Sequence, residues 1–194
     1  MAETSVIVVT GPSGAGKGTL IKALVERMPR LEVAVSATTR ARRAGERDGR
    51  EYWFLSEDEF SRRAVAGEFL EYVRYVSGQR YGTLRAEIGR ITAEGKVCML
   101  ELETEGALMV KEEVAGAVTI FITAPLAELE RRLRERATES AGEIGERLEL
   151  ARRQLEQQSL FDYVVENDDR ERAARELMGI VNRELNSAAT MSRP

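Results

Sequence analysis

The sequence contains no histidine. That absence removes histidine-based triads, histidine metal ligands and imidazole general bases together. It has one cysteine, Cys98, so no internal disulfide can form, and the expectation is a reducing compartment. Long apolar runs are also missing. The longest wholly aliphatic stretches are short, as at residues 6–9 (VIVV), and none reads as a membrane span. The start of the chain has neither the basic flank nor the apolar stretch of a secretory signal, and cytoplasmic residence is expected. Internal repeats, low-complexity tracts and interdomain linkers are likewise absent from the pattern.

What remains is ordinary for a soluble globular chain. With 194 residues it fits one domain of roughly 150 residues plus insertions. Its composition is 43% hydrophobic and 32% charged. A chain of this size buries roughly 70% of its extended surface and needs no covalent staple. The net charge of −4 argues against a general nucleic-acid-binding surface. The basic residues are uneven: 25 are arginine and 4 are lysine. Arg40, Arg42, Arg43, Arg47 and Arg50 cluster in one stretch, and Arg131, Arg132, Arg134 and Arg136 in another. Such runs suit solvated faces, but a planar guanidinium fork also suits phosphate.

Short apolar runs alternate with helical patterns. Residues 5–10 (SVIVVT) read as a buried strand, followed by a glycine-rich turn and a helix over 16–28 that Pro29 stops. Residues 31–36, 97–102, 118–122 and 163–166 read as further strands. Residues 84–94 read as a helix ended at Gly95. Helical spacing recurs at Leu126, Leu129 and Leu133, at Ile144, Leu148, Ala151 and Leu155, and at Ala173, Leu177, Val181 and Leu185. This alternation predicts an α/β fold with a parallel sheet and flanking helices. Residues 38–83 break the rhythm. They hold strands at 51–55 and 69–75 around a helix capped by Ser56 with Glu59 three residues on, which predicts a small, partly antiparallel insert. Residues 138–145 (TESAGEIG) read as the tip of a mobile helical hairpin, and the tail after Leu185 as frayed.

Gly11, Pro12, Ser13, Gly14, Ala15, Gly16 and Lys17 form a GxxxxGK segment between a strand and a helix. Glycines let the loop curl with its N–H groups facing an anion, and the helix N-terminus adds its dipole. Lys17 brings a point charge to the β- and γ-phosphates. Gly18 stands where serine or threonine would hold Mg²⁺, with Thr19 one residue later; either Thr19 contributes or water does more of the coordination. Phosphoryl transfer works by positioning and charge neutralisation, so a chain without histidine is suited to it. A phosphomonoester acceptor, with a second pKa near about 6, needs no general base.

The run Ser36-Ala37-Thr38-Thr39-Arg40-Ala41-Arg42-Arg43-Ala44-Gly45-Glu46, then Gly49 and Tyr52, resembles the acceptor-binding segment of guanylate kinases. Gly67-Glu68-Phe69-Leu70-Glu71-Tyr72, Tyr81-Gly82-Thr83, Arg132-Leu133, Arg136-Ala137-Thr138-Glu139, Arg147-Leu148 and Phe161-Asp162-Tyr163 with Asn167-Asp168 continue the match in order. The resemblance implies transfer of the ATP γ-phosphoryl group to GMP with Mg²⁺. It implies a P-loop parallel-sheet core (1–36, 84–125 and 150–194), a small mixed α/β GMP-binding insert (37–83) and a helical lid (126–149). By matching positions, Ser36, Arg40, Arg43, Tyr52 and Tyr81 would hold the GMP phosphate. Glu71 and Thr83 would read guanine, with Ser36 close by. Arg132, Arg136 and Arg147 would close over ATP phosphates, and Asn167 would lie near adenine. Glu71 suits this independently, because one carboxylate can accept from both guanine N1–H and the 2-amino group, while Thr83 can donate to O6.

Five positions depart from the family pattern. Arg42 replaces the usual proline, which predicts a less rigid loop. Glu101 and Glu103 stand where an Asp-x-Asp pair is common; strand alternation puts both on one face, where either could hold Mg²⁺ waters or a GMP group. Glu105 replaces glutamine and Ala137 replaces glycine. Two other readings stay open. One is another monophosphate kinase, such as an adenylate kinase, which the GKGT ending suits and the Arg/Tyr insert does not. The other is a non-catalytic guanylate-kinase-like protein-binding module, which typically lacks a working phosphate loop.

Overall fold

The computed structural model describes residues 6–75, 78–135 and 141–191. Its core is a five-stranded parallel sheet ordered β2-β7-β1-β8-β9. The strands are β1 (Val6–Thr10), β2 (Leu31–Val33), β7 (Val97–Glu101), β8 (Val118–Thr123) and β9 (Tyr163–Glu166). β1 is buried along its whole length, which is why its sequence is a continuous apolar run rather than an alternating one. Helices cover both faces. α1 (Lys17–Arg27) and α7 (Arg170–Met191) pack with Ile7, Val9, Met99 and Ile120 on one side. α3 (Arg85–Ala93) and α4 (Thr104–Glu113) pack with Val6, Val8, Cys98 and Phe121 on the other. Cys98 is fully buried, and its thiol pKa is pushed up to about 12 by desolvation, so it stays protonated.

A second, mixed sheet of order β4-β3-β6-β5 stands apart from the first. It comprises β3 (Ala37–Thr38), β4 (Trp53–Phe54), β5 (Phe69–Arg74) and β6 (Arg80–Leu84). It carries α2 (Glu57–Val65), whose N-cap Ser56 accepts from the Glu59 N–H as the capping pattern predicts. Phe60, Phe69 and Leu84 form its own small core. Finally α5 (Leu126–Glu135) and α6 (Ala141–Glu156) pack against each other beside the phosphate loop.

The structure corrects three sequence expectations. The single strand expected over 31–36 is divided: β2 ends at Val33, and the chain crosses to the second sheet before β3. The strand expected over 51–55 shrinks to β4, because Asp48 and Glu51 accept backbone N–H groups locally and hold that segment as a turn. The tail is not frayed from Leu185. α7 continues to Met191, since no glycine or proline stops it and the added segment contains good helix formers such as Ala188 and Ala189. The expected tip at 138–145 lies partly outside the described residues. No helix among them is long and apolar enough to cross a membrane.

Candidate active site

The phosphate loop is shaped by three glycines with positive φ, Gly11 (134°), Gly14 (87°) and Gly16 (86°). Gly11 has a second reason: a Cβ there would overlap the Ile122 carbonyl of β8. The loop is braced from behind. Asn167, 4% exposed, donates through Nδ2 to the Ala15 carbonyl at 2.7 Å. Arg132 donates to the Gly14 carbonyl at 3.2 Å and to the Asn167 carbonyl at 2.8 Å, and is held by Glu128 at 2.6 Å. That arginine and Arg131 pull the Glu128 pKa down to about 2. Lys17 folds over the loop and donates through Nζ to the carbonyls of Gly11 (2.6 Å) and Pro12 (3.2 Å).

Three recesses line up along this loop. A crevice of about 430 Å³ is walled by Ser13, Gly14, Gly16, Lys17, Gly18, Thr19 and Glu101. On one side it shares Gly14, Gly16 and Thr19 with a recess of about 380 Å³, which also takes in Arg132, Glu135, Asn167 and Arg170. On the other it shares Lys17 and Glu101 with a cavity of about 300 Å³ between the two sheets. Ser36, Glu51, Tyr52, Glu71, Tyr75, Tyr81 and Glu103 complete the polar lining of that cavity.

Glu71 is the deepest acid of this cavity, at 3% exposure. A bulge between Phe69 and Glu71 sets its direction. The β5–β6 register places it opposite Thr83, whose hydroxyl donates to Oε1 at 2.8 Å. Two glycines make room: a Cβ at Gly82 would meet the Glu71 carbonyl at 2.7 Å, and one at Gly106 would meet Glu71 Oε2 at 2.7 Å. Desolvation raises the Glu71 pKa, and the Thr83 hydrogen bonds only partly offset it. Glu101 is also shifted up by desolvation, against the pull of Lys17.

The sequence-predicted residues divide. Ser36, Tyr52, Glu71, Tyr81 and Glu103 line the acid-bearing cavity, and Thr83 reaches it through Glu71. Thr19 and Glu101 flank the crevice, where Glu101 Oε2 lies 3.5 Å from the point a Gly18 Cβ would occupy. Arg40 is not among the residues lining the cavity. It is bidentate to Glu46 (2.7 and 3.0 Å) and sits over the Tyr52 ring. Arg43 is exposed, with its backbone N–H donating to Glu46 at 2.8 Å. Glu46 thus ties the loop in which Arg42 replaces proline. Arg147 is exposed on α6 and is not among the residues lining the three recesses. Arg136 lies outside the described residues. Among the polar lining residues, sequence reasoning missed Glu51, Tyr75, Glu135 and Arg170. For Tyr75 a signal existed, since Glu71, Val73 and Tyr75 alternate onto one face.

Comparison with known proteins agrees with this arrangement. The family model described as guanylate kinase matches residues 3–184. The chain is 46% identical over 184 residues to the guanylate kinase of Rubrobacter xylanophilus, covering 94% of this chain and 96% of that one. It is 44% identical over 176 residues to that of Symbiobacterium thermophilum, covering 90% and 83%. A crystal structure of guanylate kinase from Anaplasma phagocytophilum superposes with a TM-score of 0.75 at 30% identity, covering 95% of this chain and 89% of that one.

Proposed function

The chain belongs to the guanylate kinase family, and from that premise we propose how its own residues divide the work. The protein is a nucleoside monophosphate kinase that reversibly transfers the ATP γ-phosphoryl group to GMP, giving ADP and GDP. The observation that carries the division is the shared wall: Lys17 and Glu101 line both the phosphate-loop crevice and the cavity holding Glu71. A donor triphosphate in the crevice and an acceptor phosphate in the cavity would meet there.

On the donor side, the N–H groups of residues 11–19 cradle the phosphates and Lys17 neutralises charge on the transferring group. Arg132, Arg136 and Arg147 belong to the lid (126–149) that closes over ATP, and Asn167 lies by the adenine. On the acceptor side, the insert (37–83) brings GMP in. Glu71 accepts from guanine N1–H and the 2-amino group, Thr83 and Ser36 face the base edge, and Glu103 borders it. Ser36, Arg40, Arg43, Tyr52 and Tyr81 hold the GMP phosphate. Closure of insert and lid onto the remaining core excludes water from the transfer. The acceptor oxygen is already ionised near neutrality, so no side chain must remove a proton.

Kinases of this family typically use Mg²⁺. The crevice fits such an ion: it offers the Thr19 hydroxyl and the Glu101 carboxylate, both hard oxygen donors, and leaves the other positions to water and phosphate. No cluster of three or more acidic, cysteine or histidine ligands occurs among the described residues, which suits a metal that arrives with the nucleotide. When bound, Mg²⁺ would supply positive charge that offsets the charge of the donor phosphates. Thr19 and Glu101 would hold its waters. A coupled assay comparing GMP, AMP, UMP and dTMP tests the whole reading. GMP should be strongly preferred; equal use of AMP would remove the acceptor site from Glu71.

A further inference from the structure

Glu103 stands at a junction of three parts of the fold. It lies between the end of β7 and the first turn of α4, at the mouth of the acceptor cavity. Its Oε1 accepts from the Tyr75 hydroxyl at 2.8 Å, and its Oε2 accepts from Gln154 Nε2 at 3.1 Å. Tyr75 directly follows β5 of the second sheet. Gln154 lies near the C-terminal end of α6, where that helix leaves α5 and settles on the core through Ala151 and Leu155. One carboxylate on the core therefore takes a hydrogen bond from each of the two parts that flank it. Gln154 is 4% exposed, and a polar side chain that deep requires a partner; Glu103 supplies it.

We propose that Gln154 is a positioning residue: it holds the Glu103 carboxylate with Oε1 toward the acceptor cavity, and so couples the seat of α6 to binding of the nucleoside monophosphate. The proposal rests on the acceptor reading above. A glutamate side chain has three rotatable torsions, and anchoring Oε2 on a buried amide removes most of that freedom. A carboxylate offers about four lone-pair sites, so Oε1 can take a purine N–H while keeping the Tyr75 hydroxyl. A shift of α6 on lid closure then turns the carboxylate, and a purine bound to Oε1 in turn favours one seat of α6. Thermodynamic linkage makes this reciprocal: donor nucleotide tightens GMP binding by the factor by which GMP tightens donor binding.

Gln154→Met keeps the length of the side chain and suits a buried site. Two quantities test the proposal: the steady-state constants, and the GMP Kd measured calorimetrically with and without a non-hydrolysable ATP analogue. In Gln154→Met the KM for GMP should rise about tenfold while kcat changes less than about twofold, the split expected when ground-state positioning is lost. The tightening of GMP by the analogue should largely disappear. In a Glu103→Gln background the same substitution should add almost nothing, because the partner it acts through is already altered. Unchanged tightening in folded Gln154→Met, or an undiminished extra loss in the Glu103→Gln background, overturns the proposal and leaves Gln154 a packing residue. Tyr75→Phe probes the other end without touching the buried amide, and it too should reduce the tightening; its failure to do so would overturn the three-part coupling even if the Gln154 variants did not fold. The acceptor reading fails separately: there Glu71→Gln would leave base selectivity unchanged.

Discussion

The halves of this site proposed to take donor and acceptor are built from different materials. The phosphate loop presents main chain. Its shape comes from Gly11, Gly14 and Gly16, and its side chains other than Lys17 are small. It is braced by Asn167 and Arg132, which bond its carbonyls from behind. The acceptor cavity presents side chains: Glu71, with Thr83 bonded to it, and Tyr52, Tyr75 and Tyr81, held on two short strands of the second sheet and the segments beside them. A main-chain cradle recognises what all triphosphates share, whereas a side-chain lining can distinguish one base from another. The difference teaches where selectivity can be altered without disturbing the chemistry.

Lys17→Ala should break both halves, since Lys17 borders both. We expect kcat/KM to fall at least about 10²-fold for either nucleotide with the fold retained, as for loss of one preorganised electrostatic donor. Near-normal turnover by the folded variant would detach the loop from the chemistry.

Glu71→Gln should break only the acceptor half. GMP loses a charge-assisted bond and one guanine N–H then faces an amide N–H, while AMP loses nothing. The GMP-to-AMP ratio of kcat/KM should fall at least about tenfold, equivalent to about 1.4 kcal/mol. The same variant should gain stability at neutral pH. Because burial raises the Glu71 pKa, the folded state binds that proton more tightly than the unfolded chain. Stability contributed at this site is therefore lost as pH rises from the unfolded pKa through the folded one. Thermal melts of both proteins across that window should converge at low pH and separate as pH rises, with Glu71→Gln the more stable. Parallel curves would show that Glu71 carries no such penalty.

Gly106→Ala sharpens the acceptor half further. The new methyl would meet Glu71 Oε2 and displace a carboxylate that has little room to move. A several-fold rise in the KM for GMP, with kcat and the KM for ATP unchanged, is the expected result of steady-state kinetics. Ser13→Ala is the complementary control and the smallest effect. It leaves the loop's main chain in place, so the KM for ATP should change less than about threefold. A larger loss would show that the donor half also depends on side chains.

The two halves were not equally legible in the sequence. The loop could be read from local facts, an apolar strand, three glycines and a lysine before a helix, because its function lies in the main chain that those residues shape. Its braces could not: Arg132 and Asn167 reach it from distant segments, and nothing near either of them announces a contact with the carbonyls of Gly14 and Ala15. Glu71 looks locally like any strand carboxylate; only its register with Thr83 and the space left by Gly82 and Gly106 make it a buried acid. Tyr75 could have been found by carrying the period of two onward from Glu71. Arg40 was legible as a basic residue of the insert but not as one bound by Glu46 and placed over the Tyr52 ring. The end of β2 at Val33, before the chain crosses to the second sheet, was hidden because an apolar run does not say which neighbour it will pair with.

The strand order also sets a timetable for folding. β1 is made first, yet among the described residues its partners in the core sheet are β7 and β8: Val6 pairs with Cys98 and Ile7 with Val118. β2 likewise waits for β7. The second sheet closes entirely among β3, β4, β5 and β6, with its own cluster of Phe60, Phe69 and Leu84. Shorter loops close at lower entropic cost and sooner. The acceptor's sheet should therefore gain hydrogen-exchange protection before the strand that leads into the phosphate loop, and a nascent chain that stops short of β7 should protect the former alone. The most recognisable stretch of the sequence, near its beginning, is thus among the last to acquire its structure.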